Sequence, residues 1–208
     1  MQDQDIRDVI VKRINTAKEK ILCHNFECED SKIIQDIEYV KNNFFGFSIN
    51  WVLEYEYESL LMRAVEGNRE ELVRYILTYP DIDINYGKRY TSLHLACFGG
   101  CNVPILKLLL GHRDIIVDKR DAGGRGYTGL YYACMRNKIE IVRELLIDAR
   151  VDVLIRNEDD KTALYVAIMG KHSRIVNMLK RVLHTSLLRI PNKSLLYDIA
   201  RMIICEYT

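Results

Sequence analysis

No charge of one sign dominates this chain. Its 30 lysines and arginines face 29 aspartates and glutamates, for a net charge of +1. That balance excludes a general electrostatic pull on nucleic acid or on an anionic membrane. Six cysteines, at 23, 28, 97, 101, 134 and 205, are too thinly spread for a disulfide-stapled secreted scaffold. No apolar run is long enough to cross a bilayer. The start Met1-Gln2-Asp3-Gln4-Asp5 is polar and acidic, unlike a signal peptide. These features predict reduced thiols and a soluble protein in the cytoplasm. Proline and alanine are scarce while isoleucine, lysine, asparagine and tyrosine are abundant. Such usage fits an AT-rich genome and a parasite, symbiont or virus, which would place the protein in the cytosol or nucleus of a host cell. The chain also lacks G-x-S-x-G, a phosphate-binding P-loop and H-E-x-x-H. No catalytic residue, cofactor or small-molecule substrate is expected.

What is present is a template used four times. It reads Ser59-Leu60-Leu61-Met62-Arg63-Ala64, Thr91-Ser92-Leu93-His94-Leu95-Ala96, Thr128-Gly129-Leu130-Tyr131-Tyr132-Ala133 and Thr162-Ala163-Leu164-Tyr165-Val166-Ala167. Ser or Thr opens each segment and can cap a short helix by accepting from a free backbone N–H. Leu and Ala at helical spacing then place a large and a small side chain on one packing face. Turns follow at Gly67-Asn68, Gly99-Gly100, Arg136-Asn137 and Gly170-Lys171. A second amphipathic helix comes next, around Leu72–Leu77, Ile105–Leu110, Ile141–Leu146 and Ile175–Leu179. Between repeats, Asp81–Asn85, Ile116–Asp118 and Val151–Leu154 read as extended segments leading into polar tips. The tip at Asp121-Ala122-Gly123-Gly124-Arg125-Gly126 is enlarged and glycine-rich.

A period near 33 built on T-P-L-H-x-A resembles the ankyrin repeat. The clear resemblance covers about residues 58–183 and departs from the family in one respect. The proline after the capping residue is replaced throughout, by Leu60, Ser92, Gly129 and Ala163. This removes some preorganisation of the first helical turn. The resemblance implies an all-α solenoid of helix–turn–helix units joined by extended hairpin fingers, with helical caps at both ends. Residues 1–57 would form an N-terminal cap including a degenerate repeat. Residues 58–89, 90–126, 127–160 and 161–185 would be the repeats, the second with an extended finger, and 186–208 a capping helix. Terminal units of a repeat stack must present one polar face. Ile6, Val9, Ile10, Ile14, Ala17 and Ile21 mark one upstream amphipathic helix, and Ile33, Ile34, Ile37 and Val40 another.

The family binds other proteins, by the tips and the exposed ends of the first helices, so the resemblance implies a non-catalytic partner-binding module. Carried onto this chain, that surface is Tyr55, Glu56 and Glu58 in the first repeat, and Lys88, Tyr90 and Phe98 in the second. In the third it is Arg125, Tyr127, Met135 and Arg136, and in the fourth Glu158, Asp159 and Lys161. Tyr and Arg combine large contact area with directional donors, which favours Tyr90, Phe98, Arg125 and Tyr127 as a binding cluster. Trp51, followed by Tyr55 and Tyr57, either packs on the N-terminal cap or meets the partner. Two nominal zinc clusters, His94 with Cys97 and Cys101, and Cys23-His24 with Cys28, are better read as structural than as closed four-ligand sites. One alternative belongs to another class. Leu188-Arg189-Ile190-Pro191 with Leu195, Leu196, Ile199 and Ile203 loosely resembles the start of the F-box found at the end of poxviral and some intracellular-bacterial ankyrin proteins. That resemblance implies an adaptor recruiting a ubiquitin ligase.

Overall fold

The computed structural model describes residues 29–43, 47–50, 58–99 and 102–187. Among them lie nine α-helices and no β-strand. The chain divides into two compact units between Ile115 and Ile116. The first holds α1 (Asp30–Asn43), α2 (Leu60–Glu66), α3 (Glu70–Ile76), α4 (Ser92–Phe98) and α5 (Val103–Leu110). The second holds α6 (Gly129–Met135), α7 (Ile139–Ile147), α8 (Ala163–Met169) and α9 (Ser173–Leu187).

Four of these helices start as the template predicts. Ser59, Thr91, Thr128 and Thr162 have extended backbones, and each side-chain oxygen accepts from the backbone N–H three residues on. His94 makes the second of these caps reciprocal, because its Nδ1 accepts from the Thr91 N–H at 3.1 Å. The ring is thereby committed to holding the start of α4.

Helix ends are as regular as the starts. The carbonyls of Ala64, Ala133 and Ala167 each accept at 2.9 Å from the N–H five residues on, in Arg69, Lys138 and His172. Such a closure needs a left-handed residue just before its donor. Asn68 and Asn137 (φ 55°) and Lys171 (φ 56°) supply it. Asparagine tolerates this conformation better than lysine does, so the fourth turn is the least favourable of the three.

Each unit is then a run of helix pairs stacked side by side. In the first, α2 packs on α3 and α4, α3 on α5, and α4 on α5. In the second, α6 packs on α7 and α8, and α9 on α7 and α8. Ala64, Ala96, Ala133 and Ala167 are all buried in these seams, where only a small side chain lets the first helices approach. Leu72, Val73 and Ile76 on α3, Ile105, Leu106 and Leu109 on α5, Ile141, Val142 and Leu145 on α7, and Ile175 and Leu179 on α9 fill the remainder. Each such Leu or Ile contributes roughly 1.5–3 kcal/mol by leaving water.

α1 precedes the first repeat, and its anchoring is polar as well as apolar. Ile33, Ile37 and Val40 are buried, and α1 lies on α3. The N-cap of α3 is Arg69, which has no acceptor to offer the helix. Asp30 fills that gap from the preceding element: one oxygen accepts from Leu72 N–H at 3.2 Å and the other from Arg69 at 2.8 Å. Further along, Tyr75 donates to Glu38 and contacts the Tyr79 hydroxyl at 2.6 Å. These bonds, that of Tyr75 above all, hold the Glu38 carboxyl below its usual range. Burial, followed by Glu38 itself, pushes the Tyr75 phenol up.

The segments between repeats differ from strands. Ile82 and Ile84, and Ile115 and Val117, alternate into the core as an extended chain would. Their backbones close into turns instead, with Tyr86 N–H on Asp83 O and Lys119 N–H on Ile116 O. Side chains make the joints that a ladder would otherwise make. Asn50 accepts from Asp83 N–H at 2.8 Å and donates to Asp81 O at 2.6 Å. Asn85 donates to Asp114 O at 2.6 Å. In the second unit Asp118 holds the corresponding slot and accepts from Asp152 N–H at 2.8 Å.

Asp118 is the poor member of this series. Burial, then repulsion from Asp152 and Asp148, raises its carboxyl above the ordinary value of 3.8. An acid whose native pKa lies above its unfolded one destabilises the fold while ionised, and protonation relieves this. Asp118→Asn keeps the acceptor and removes the charge, so its unfolding midpoint should exceed that of the wild type at neutral pH. The gap should narrow as pH falls through the raised native pKa and close below 3.8. Thermal melts across that range check both sign and window.

α9 runs on through Leu187. The F-box-like stretch from Leu188, and Ile6 to Ile21 upstream, lie outside the described residues.

Candidate functional site

The candidate surface is best defined in the second unit, where a loop, a helix and the next loop meet. The enlarged tip closes on itself, as Asp121 N–H donates to Tyr127 O at 2.9 Å. The buried Asp121 carboxylate accepts from Tyr127 N–H at 3.0 Å and from the Tyr132 hydroxyl. Asp121 thus closes the base of the loop through two bonds with Tyr127 and ties it to α6 through a third with Tyr132.

Aromatic rings complete the support. Tyr127 stacks on Tyr131 with centroids 4.2 Å apart and planes at 9°, and meets Tyr132 edge-on at 5.4 Å. Stacked and edge-to-face pairs each add roughly 0.5–1.5 kcal/mol beyond the area they bury. The Tyr131 phenol is pushed up to about 12, first by burial and then by Tyr127, Asp159 and Tyr165 around it. It stays neutral at any physiological pH and serves as a hydrogen-bonding hydroxyl.

Exposed charge rides on this platform. Arg125 is exposed and its guanidinium donates to the Tyr127 hydroxyl at 3.4 Å. Its carbonyl accepts from the Glu158 N–H at 3.0 Å, which joins the third-repeat tip to the fourth. Gly126 sits at φ 67°, a left-handed conformation that favours glycine. The fourth tip is closed by Asn157 N–H on Lys161 O at 2.9 Å, with the Asn157 side chain accepting from Asp159 and Lys161. Lys161 Nζ lies over the Tyr165 ring at 4.6 Å. Arg120 and Glu158 pair at 3.7 Å between two exposed side chains, an arrangement that contributes little.

Arg125, Glu158, Asp159 and Lys161 are thus brought together, and Met135 and Arg136 stand half-buried and exposed at the end of α6. Tyr127 is placed differently from the sequence expectation. At 9% exposure it is buried, because Tyr131 and Tyr132 offer it a flat face and an edge. It acts from behind, by holding Arg125. The sequence reading also missed Asp121, Tyr132 and Tyr131, which carry the platform.

In the first unit, Glu58 is half-buried and paired with Arg63 at 3.3 Å. Lys88 is exposed, Tyr90 lies half-buried under the Arg89 guanidinium at 5.0 Å, and Phe98 is 39% exposed. Tyr55 and Glu56, together with Trp51, lie outside the described residues. So do Cys23, His24, Cys28 and Cys101 of the nominal zinc clusters. Cys97 and Cys134 are buried, and burial drives the Cys134 thiol pKa upward, away from reactivity.

Against this geometry, comparison with known proteins is direct. The family of ankyrin repeats (3 copies) matches residues 31–121 and 93–185, and the chain belongs to the ankyrin repeat family. Among its relatives is the BTB/POZ domain and ankyrin repeat-containing protein NPR1 of Malus hupehensis, 32% identical over 100 residues. That match covers 48% of this chain and 16% of the relative. Another is the ankyrin repeat-containing protein kinase A of Dictyostelium discoideum, 33% identical over 87 residues, 39% of this chain and 6% of the relative. The chain therefore spans a small part of either relative's length. Ankyrin repeats are a protein–protein interaction module and in general a non-catalytic fold. No described helix is long and apolar enough to cross a membrane.

Proposed function

We propose that this chain binds a partner protein through the loop tips and exposed first-helix ends of its repeats, with Arg125, Glu158, Asp159 and Lys161 at the centre. The observation that carries this is the buttressing of an exposed, mixed-charge surface by buried groups. Asp121, Tyr127, Tyr131 and Tyr132 hold the Arg125 loop in one conformation before any partner arrives. Preorganisation of this kind lowers the ordering cost of association. Glu58, Lys88, Tyr90 and Phe98 extend the binding set in the first unit, and Met135 and Arg136 in the second. Binding in the cytoplasm, or in the cytosol or nucleus of a host cell, is part of the same reading.

An Arg125→Glu, Lys161→Glu variant reverses one exposed and one half-buried charge and keeps Asp121, Tyr127, Tyr131 and Tyr132 in place. In affinity capture from host lysate read by mass spectrometry, proteins retained by the wild type and lost with this variant are the expected result. An identical set with both baits would remove the surface. Ligase subunits lost only on truncation to residues 1–185 would move the reading to the F-box adaptor.

A further inference from the structure

Away from the tips, the charge of the chain is unevenly distributed. Residues 162–197 contain six lysines and arginines, two histidines and no aspartate or glutamate. All nine acids of residues 116–187 precede Lys161. Arg174, Lys180 and Arg181 of this stretch lie on α9, which is amphipathic. Ile175, Leu179 and Leu183 are buried, while Arg174, Asn177, Lys180, Arg181 and His184 are exposed. Asn177, Lys180, Arg181, His184 and Thr185 line one groove along the helix.

Helix formation does not require this pattern. α3 and α7 carry acids in their first turns, Glu70 with Glu71 and Glu140, which oppose the helix dipole favourably. They also pair charge internally, as Glu70 with Arg74 and Glu140 with Arg143. α9 has no acid in its first turn and places Arg174 there, on the wrong side of the dipole. Among the described residues Arg174, Lys180 and Arg181 form no ion pair. Cations left unpaired among the described residues repel one another and attract an acidic partner.

From this we infer that the exposed face of α9 is a second interaction surface, for a short acidic segment of a protein. Arg174 to His184 spans about 15 Å at 1.5 Å per residue, the length of roughly five residues of extended peptide. A long polyanion fits less well. α7 packs against α9 and carries the exposed Glu140 and the half-buried Glu144, which repel phosphates running past the stripe. A brief acidic peptide can lie along one helix and avoid them.

The test uses the full chain and a fluorescent octaglutamate peptide followed by anisotropy. Octaglutamine, a short DNA duplex and phosphatidylserine vesicles form the other arms. Octaglutamate should bind and octaglutamine should not, with affinity falling as salt shortens the Debye length from about 30 Å to about 8 Å. Lys180→Glu with Arg181→Glu should weaken binding by at least about tenfold, and Lys180→Gln with Arg181→Gln by a few-fold. Arg125→Glu with Lys161→Glu, on the tips, should leave octaglutamate affinity within about twofold, which separates this surface from the one proposed above. Circular dichroism melts matching the wild type establish that each variant is folded. Equal octaglutamate affinity in the folded charge reversals would overturn the inference. So would binding of octaglutamine, or tighter binding of the duplex or the vesicles.

Discussion

Asp121→Ala should destabilise the second unit by about 3 kcal/mol, the largest effect expected of a polar residue among those described. The carboxylate is buried and accepts from Tyr127 N–H and from the Tyr132 hydroxyl. Truncation leaves both donors without their acceptor, and a buried donor left unsatisfied costs about 1–3 kcal/mol. Tyr132→Phe removes one donor with its own hydrogen bond and should cost only about 1 kcal/mol. The double variant should therefore be little worse than Asp121→Ala alone, and a denaturation cycle reads the coupling directly. Additive losses would mean that the two side chains act independently. The functional consequence follows from position. The Arg125 loop would keep its sequence and lose its support, so partner affinity should fall even where the variant remains folded.

Asp30→Ala should release α1 without unfolding the rest of the first unit. Asp30 is the acceptor for the start of α3 and the ion partner of Arg69 at 2.8 Å, with both side chains largely buried. Losing a cap costs about 1 kcal/mol, and leaving a partly buried arginine without this partner adds to it, for about 2–3 kcal/mol in total. A terminal element responds by local opening, so amide exchange across α1 should accelerate roughly a hundredfold while α4 and α5 are spared. Asp30→Asn keeps the acceptor for Leu72 N–H and should show a smaller acceleration. Uniform acceleration through all five helices would show that α1 nucleates the unit and does more than cover its end.

Much of this architecture was legible because its causes are local and repeated. A Ser or Thr, a Leu two residues on and an Ala three beyond that specify a cap, a core contact and a close approach within about one and a half helical turns. The structure realises all three in every repeat. The enlarged tip at Asp121–Gly126 was equally plain from its glycines. What sequence reasoning missed are contacts between residues with no fixed spacing. Asp121 reaches Tyr132 across eleven positions, and Asp30 reaches Arg69 across thirty-nine. Tyr127 read as an exposed anchor because it falls at a tip position where the family meets its partners. Only the pair Tyr131-Tyr132, one residue beyond Leu130, hints at a ring stack that would bury it. The joints at Asn50, Asn85 and Asp118 did carry a signal, since they recur near the repeat period. Their polarity made them look like ordinary loop residues.

The central claim is that the buttressed tips of the second unit bind a protein. Isothermal titration of the captured partner into wild type and into Arg125→Glu, Lys161→Glu tests it most directly. The account predicts an affinity loss of at least about tenfold in the variant, with an unchanged melting curve. Equal affinities in two equally folded proteins would contradict it.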